Sequence, residues 1–176
     1  LWFQAQPDTV VAVTGTSGKT SVTTFTRQIW QALGLKAINL GTMGVQGDFT
    51  AKLAHTTPEP VTLHRVLSEA AASGVTHAAM EASSHGLDQR RLDGVRVAAG
   101  AFTNFSQDHL DFHHSMDEYF AAKAALFTRA FADRAVIVIE DEWGERMAAA
   151  AQIPVTTLGR DDRSRLRIDH TPGESD

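Results

Sequence analysis

Residues 10–20 read VVAVTGTSGKT, an apolar and β-branched run that leads directly into a glycine-rich turn. An amphipathic stretch follows to about Leu33, so the pattern predicts a strand, a loop and a helix in succession. The N-terminus of a helix after such a turn presents free N–H groups and the positive end of its dipole, which suit phosphate. Lys19 would reach the terminal phosphates, and the Thr20 hydroxyl would ligate a bridging magnesium ion. The stretch therefore predicts a nucleotide site.

The same stretch departs from the usual phosphate-loop pattern at its first position, where Val13 stands in place of glycine. The alternative is a chance Gly-Lys-Thr at the start of an ordinary helix. The strand before it and the amphipathic helix after it favour the nucleotide site, with Gly15 and Gly18 supplying backbone freedom.

Apolar runs and helical patterns alternate over most of the chain. Further strands are predicted at 37–40, 77–82, 97–103 and 135–139, and further helices at about 61–74, 116–131 and 142–152. The glycines at 41, 44 and 47 indicate a loop region. This order predicts a doubly wound α/β fold of the P-loop NTPase type, with a mostly parallel sheet and ligands at the carboxyl ends of its strands.

The composition limits the partners of the protein. With 176 residues, 43% of them hydrophobic, the chain has the length of one domain. Its formal charge of -5 is spread along the sequence, which argues against a nucleic-acid or membrane surface. The chain has no cysteine, which excludes disulfides and thiolate sites and fits a reducing compartment. No apolar stretch approaches the ~20 residues that span a bilayer. We expect a cytoplasmic monomer.

Side chains suited to metal binding follow two of the predicted strands. Glu81 ends the strand at 77–82 and would act either as a magnesium ligand or as an ordinary cap or surface charge. Residues 103–114 read TNFSQDHLDFHH, which also permits the zinc site of a metal hydrolase but leaves the phosphate loop unexplained. Within this cluster only His109 is singled out, whereas His113 and His114 are expected to be solvated.

Lys123 lies in the helix predicted at 116–131. The inward stripe of that helix is expected to comprise Tyr119, Ala122, Leu126 and Phe127. A lysine beside such a stripe either snorkels to solvent or has a function, and periodicity alone favours snorkelling.

Five motifs occur in order along the chain. They are TGTSGKT at 14–20, HTTP at 55–58, MEASSHGL at 80–87, FTN at 102–104 with DHLD at 108–111, and YFAAK at 119–123. Together they resemble the central domain of Mur ligases over about residues 10–127, and the phosphate loop without its first glycine is typical of that family. The Thr-Thr-Pro and the paired serines before His85 look like the MurE-type ligases.

The resemblance implies an activity. Such ligases use ATP to add meso-diaminopimelate or L-lysine to UDP-N-acetylmuramoyl-L-alanyl-D-glutamate in peptidoglycan biosynthesis. The D-glutamyl carboxylate takes the γ-phosphoryl group, and the incoming amine displaces phosphate from the acyl-phosphate. Because the first step joins two anions, it needs positive charge and in-line binding.

The resemblance also implies roles for individual residues. The expected ATP-binding residues are Gly15, Thr16, Ser17, Gly18, Lys19, Thr20, Ser21 and Asn104. The expected substrate-binding residues are His55, Thr56, Thr57, Ser83, Gln89 and Arg91, with His55 standing where relatives often have asparagine. Thr20 and Glu81 are the expected ligands of one magnesium ion, and His109 and Lys123 those of a second. Lys123 matches a carbamylated lysine, which reverses the preference for snorkelling. Lys19, Glu81, His109 and Lys123 are the expected catalytic residues.

The family pattern also sets the expected domain organisation. Residues 1–9 are expected to be a linker from an N-terminal domain, and residues 10–176 a central domain that is incomplete at its C-terminal end. We expect no turnover from this polypeptide alone. The alternatives are another amide ligase of the same superfamily, such as a folylpolyglutamate synthase, and a nucleotide-binding module without catalysis.

Overall fold

The computed structural model describes residues 3, 5–108, 111–160 and 162–167. Within these residues the strands are β1 Thr9–Thr14, β2 Ala37–Gly41, β3 Gly44–Gly47, β4 His77–Glu81, β5 Ala99–Phe102, β6 Ala135–Val138, β7 Val155–Gly159 and β8 Leu166–Arg167. The helices are α1 Lys19–Ala32, α2 Pro60–Ala72, α3 Ser84–Asp88, α4 Met116–Ala124 and α5 Glu142–Ala150, and a 3-10 turn at Ala125–Phe127 follows α4.

The strands form one sheet in the order β3-β2-β4-β1-β5-β6-β7-β8. Every neighbouring pair is parallel except β2 and β3, which are antiparallel. β1 lies between β4 and β5, with Val13 opposite Glu81 and Thr14 opposite Phe102. The carboxyl ends of these three strands therefore deliver the phosphate loop, Glu81 and the segment after Phe102 to one edge of the sheet.

The central strands are covered on both faces, as their apolar sequences predict. Val10 and Ala12 of β1 and Ala78 of β4 are fully buried. Helix α2 begins with Pro60 in its first turn, where the missing N–H group costs nothing, and it buries Leu63 and further apolar residues in the same core. No helix in the described ranges is long and apolar enough to cross a membrane.

The doubly wound α/β prediction is confirmed, and the four strands expected after β1 are present with ends shifted by one or two residues. The loop expected around the glycines at 41, 44 and 47 is wrong, because Gly44–Gly47 pairs with β2 as an antiparallel edge strand. Gly44 adopts a φ of 82°, which turns the chain back after β2. Strands β7 and β8 were not anticipated.

Helix α4 is shorter than the predicted helix at 116–131. It ends at Ala124, and its buried face consists of Tyr119, Phe120 and Lys123, whereas Ala122 is only half-buried. The expected stripe is therefore wrong at Ala122, and it does not include two buried positions, Phe120 and Lys123. Ser115 caps the helix by accepting from the N–H of Glu118 at 3.1 Å.

Candidate active site

The phosphate loop is held by the segment that follows β5. Asn104 accepts from the N–H of Ser17 at 2.9 Å, and its carbonyl accepts from the N–H of Thr16 at 3.0 Å. Thr103 donates its hydroxyl to the Ser17 carbonyl at 2.7 Å. At Gly15 a side chain would collide with Thr103 Oγ1, which explains why this position has no Cβ. The expected nucleotide residue Asn104 thus contacts the loop itself.

Helix α1 starts directly behind this loop. Gly18 occupies the N-cap with a φ of 85° and brings no side chain over the first N–H groups of the helix. Lys19 and Thr20 are the first two helical residues, and Ser21, in the same turn, is exposed. The expected residues Gly15 to Ser21 therefore form one continuous turn and helix start, the arrangement that suits an anion.

Two lysine ammonium groups meet at one carbonyl of the loop. Lys19 Nζ donates to the carbonyls of Gly15 and Thr16, each at 2.9 Å, and Lys123 Nζ donates to the same Gly15 carbonyl at 2.9 Å. Lys123 is 1% exposed. Snorkelling, which periodicity favoured, is therefore wrong, because the ammonium group points into the site.

Burial disfavours the charged form of both lysines. It lowers the pKa of Lys19, against which the charges of Glu81 and Asp108 act. It also lowers the pKa of Lys123 to about 7, helped by the nearby charge of Lys19 and opposed by Asp108. Lys123 is therefore a buried amine that exists in both protonation states near neutral pH.

Tyr119 links α4 to the phosphate loop. Its hydroxyl lies 3.3 Å from Thr16 Oγ1, and its ring centre lies 4.3 Å from Lys123 Nζ. Burial raises the pKa of the phenol. Helical periodicity placed Tyr119 in the core, but it could not show that the hydroxyl reaches the loop.

Glu81 is buried at the end of β4, beside the first turn of α1. Its Oε1 accepts from the Thr20 hydroxyl at 2.9 Å and from the N–H of Thr42 at 3.1 Å. A side chain at Gly41 would collide with the Glu81 carboxylate. The pair of Thr20 and Glu81 oxygens at a helix N-terminus is the donor set that magnesium prefers, so these residues fit a nucleotide-bound Mg²⁺ ion.

A pocket of about 230 Å³ lies on the other side of Glu81. It is lined by His55, Thr56, Thr57, Ser83, His85 and Arg91. Gln89 does not line it, but its Oε1 accepts from Arg91 Nη2 at 2.6 Å and from Arg91 Nε at 3.0 Å. The structure thus brings the predicted substrate-binding residues together.

The pocket contacts Glu81 through a hydrogen bond to the Glu81 backbone carbonyl. Thr57 donates its hydroxyl to the Glu81 carbonyl at 2.9 Å and accepts from the N–H of Ser83 at 3.0 Å. Arg91 Nη1 donates to the Thr57 carbonyl at 2.8 Å. Glu81 therefore contacts both parts of the site, Thr20 through its carboxylate and Thr57 through its backbone carbonyl.

The cluster at 103–114 differs from its prediction. His113 is 4% exposed rather than solvated, because its ring lies 4.8 Å from that of Phe112 and 5.2 Å from that of Tyr119. His114 is exposed as expected. His109 lies outside the described residues, so its metal role stays a prediction. In the part of the chain that is described, no three His, Cys, Asp or Glu side chains gather around a metal position.

Comparisons with known proteins agree with the fold and identify the family. The family model described as Mur ligase middle domain matches residues 13–175. The UDP-N-acetylmuramoyl-L-alanyl-D-glutamate--2,6-diaminopimelate ligase of Brucella melitensis is 54% identical over 168 residues, covering 90% of this chain and 34% of that protein. A solved structure of a ligase of that name superposes with a TM-score of 0.81 at 31% identity, covering 91% of this chain and 34% of the other.

A folylpolyglutamate synthase from Mycobacterium tuberculosis, with a TM-score of 0.64 at 18% identity over 87% of this chain and 43% of its own, shares the fold alone. The chain spans about a third of the length of the 2,6-diaminopimelate ligases that it matches. The match over residues 13–175 covers nearly all of the sequence. The chain belongs to the Mur ligase middle-domain family.

Proposed function

We propose that this chain is the ATP-binding part of an amide ligase of peptidoglycan biosynthesis that joins 2,6-diaminopimelate to UDP-N-acetylmuramoyl-L-alanyl-D-glutamate. The name of the Brucella melitensis relative supports the choice of amino acid over L-lysine. The observation that carries the proposal is the convergence of Lys19, Lys123 and the Thr20–Glu81 pair on one phosphate loop.

In this proposal the turn from Gly15 to Ser21 binds the polyphosphate of ATP. Its N–H groups and Lys19 offset the phosphate charges, and Thr103 and Asn104 keep the loop in shape. Thr20 and Glu81 hold the magnesium ion of the nucleotide. When bound, that ion supplies further positive charge at the phosphates.

We also propose that Lys123 is carbamylated. The lone pair of its neutral amine forms a bond to the carbon of carbon dioxide, and one proton leaves to solvent, so that the neutral amine becomes an anionic carbamate. Burial supports this step because it lowers the pKa of Lys123 to about 7 and so provides neutral amine. The carbamate and His109 are the proposed ligands of a second magnesium ion.

The pocket beside Glu81 is the proposed site of the acceptor. Arg91 is suited to an anionic group of the UDP-muramoyl-dipeptide, and the Thr56 and Ser83 hydroxyls to its polar groups, with Thr57 holding Ser83 in place. An oxygen of the acceptor carboxylate bonds to the γ-phosphorus, and the bond to the ADP oxygen breaks. The amine nitrogen then bonds to the acyl carbon, loses a proton and expels phosphate, which leaves the amide.

The test is an assay of the full-length protein with ATP, UDP-N-acetylmuramoyl-L-alanyl-D-glutamate and either 2,6-diaminopimelate or L-lysine. We expect ADP, phosphate and an amide product of the diaminopimelate mass, and no turnover from the 176-residue chain alone. The absence of amide with every diamino acid, despite binding of ATP, would exclude the ligase proposal.

A further inference from the structure

The turn between β2 and β3 places Thr42 against the carboxylate of Glu81. β2 ends at Gly41, β3 begins at Gly44, and these two residues are opposite each other in the ladder. The N–H group of Thr42, within the turn, donates to Glu81 Oε1 at 3.1 Å. The glycine at position 41 is what allows this approach, because any side chain there would occupy the space of the carboxylate.

The hydroxyl of Thr42 lies between the two halves of the site. It is 3.4 Å from Glu81 Oε2, to which it donates, and 3.1 Å from Thr56 Oγ1. An ionised carboxylate can only accept, and a hydroxyl has one hydrogen to donate. When Thr42 donates to Glu81, Thr56 must therefore donate to Thr42.

We propose that Thr42 is a positioning residue that aligns the Glu81 carboxylate with Thr20 and fixes the direction of the Thr56 hydroxyl. This inference rests on the proposed function, in which Glu81 and Thr20 hold the magnesium ion of ATP. Thr42 is exposed, so its side chain adds little to the core, and its polar contacts are its main interactions. A partner that orients a metal ligand is worth about 10- to 100-fold in metal affinity or activity.

The direction of the hydrogen bonds specifies what the pocket accepts at Thr56. Because the Thr56 hydrogen is directed at Thr42, the oxygen of Thr56 offers lone pairs to the pocket. Thr57 differs, because its hydroxyl donates to the Glu81 carbonyl and already accepts from the N–H and the hydroxyl of Ser83. The part of the acceptor that touches Thr56 must therefore carry an N–H or O–H donor, and its anionic groups must lie nearer Arg91.

The test measures binding of a non-hydrolysable ATP analogue to the full-length protein by calorimetry at a series of Mg²⁺ concentrations. Thr42→Val keeps the shape and the backbone N–H but removes the hydroxyl. We expect the apparent Mg²⁺ affinity to fall about tenfold, at the low end for such partners because the N–H remains. Thr42→Ser keeps the hydroxyl and is expected to restore the wild-type value, and Thr42→Ala is the second variant without it.

A second measurement addresses Thr56. The KM for the UDP-dipeptide is expected to rise in Thr56→Val, and adding Thr42→Val is expected to leave that KM unchanged, because the two hydroxyls act as one unit. If wild-type protein needs Mg²⁺ to bind the analogue and Thr42→Val has the same Mg²⁺ dependence, the proposed role of Thr42 is wrong, but the proposed nucleotide site is retained. If wild-type binding itself ignores Mg²⁺, the proposed nucleotide site fails and the role of Thr42 falls with it.

Discussion

The two ends of the site are built on different principles. At the nucleotide end, charged groups are buried or half-buried and donate to the protein's own backbone: Lys19 and Lys123 both donate to the Gly15 carbonyl. In the pocket proposed for the acceptor, neutral hydroxyls line the wall, and the one guanidinium group, that of Arg91, is only half-buried. Buried charge is costly to leave without a partner, whereas a half-exposed hydroxyl is not.

Because of this contrast, substitutions at the two ends should have different effects on stability and on ligand binding. Changes at the nucleotide end should alter both stability and nucleotide affinity, because the same groups hold the loop and would bind the phosphates. Changes in the pocket should affect the acceptor and leave the nucleotide almost untouched. The predictions below test this separation.

The largest effect is expected for Lys19→Ala. It removes the ammonium group that reaches over the phosphate loop, and hydrogen bonds to charged groups contribute about 1.5–3 kcal/mol each. We expect nucleotide affinity to fall about 100-fold, measured by calorimetry with full-length protein. Lys52→Ala, at an exposed lysine away from the loop, is the control and should bind as wild type does. Equal affinities for Lys19→Ala and wild type would remove the phosphate-loop assignment.

Gly41→Ala should follow. The added methyl group collides with the Glu81 carboxylate, and such overpacking costs about 1–3 kcal/mol. We expect a lower free energy of unfolding in urea together with weaker Mg²⁺-dependent nucleotide binding. Gly34→Ala is the matched control, since nothing lies within 4 Å of its Cβ and only its φ of 80° is strained. If both variants lose stability but Gly41→Ala still binds the nucleotide as wild type does, Glu81 has no role in nucleotide binding.

Lys123 should make the stability depend on pH. Its pKa is about 7 in the folded protein and about 10.4 in the unfolded chain, so between these values the unfolded state binds more protons. The free energy of unfolding should therefore rise from pH 7.5 to 8.5 by about 1 kcal/mol more in wild type than in Lys123→Met. Urea unfolding in carbonate-free buffer measures both slopes. Parallel slopes would mean that Lys123 stays charged when folded.

The smallest effect is expected in the pocket. Arg91→Lys keeps the charge but loses the fork that donates to both Gln89 and the Thr57 carbonyl. We expect the KM for the UDP-dipeptide to rise about fivefold, equivalent to about 1 kcal/mol, with the KM for ATP unchanged. Arg90→Lys, at a neighbouring exposed arginine, should change neither. A shift in the KM for ATP would show that the two ends are not separable.

The sequence predicts the nucleotide end better than the pocket wall. A strand, a glycine-rich turn and a helix in succession have a pattern that is visible in the local sequence. A carboxylate at the carboxyl end of a parallel strand, such as Glu81, must lie at the same edge of the sheet as the phosphate loop. The β2–β3 hairpin leaves no such pattern, because a four-residue strand with glycine at both ends shows neither alternation nor β-branched enrichment. Thr42 was missed for that reason.

Lys123 shows the limit of periodicity. The helix around it is rich in alanine, and alanines do not distinguish an inward from an outward face. The contact that fixes the lysine is to a carbonyl 108 residues earlier in the chain, which no local pattern contains. Resemblance to a family supplied the function proposed for this position, and the structure shows that the lysine is buried.

Tyr119 is the only tyrosine in the sequence. Its ring faces the ammonium group of Lys123, and its hydroxyl faces the phosphate loop. Fluorine-labelled tyrosine would therefore give this chain a single ¹⁹F resonance, located where nucleotide and carbon dioxide are proposed to act. Because the label enters at the one tyrosine of the chain, no residue has to be substituted to observe the site in solution.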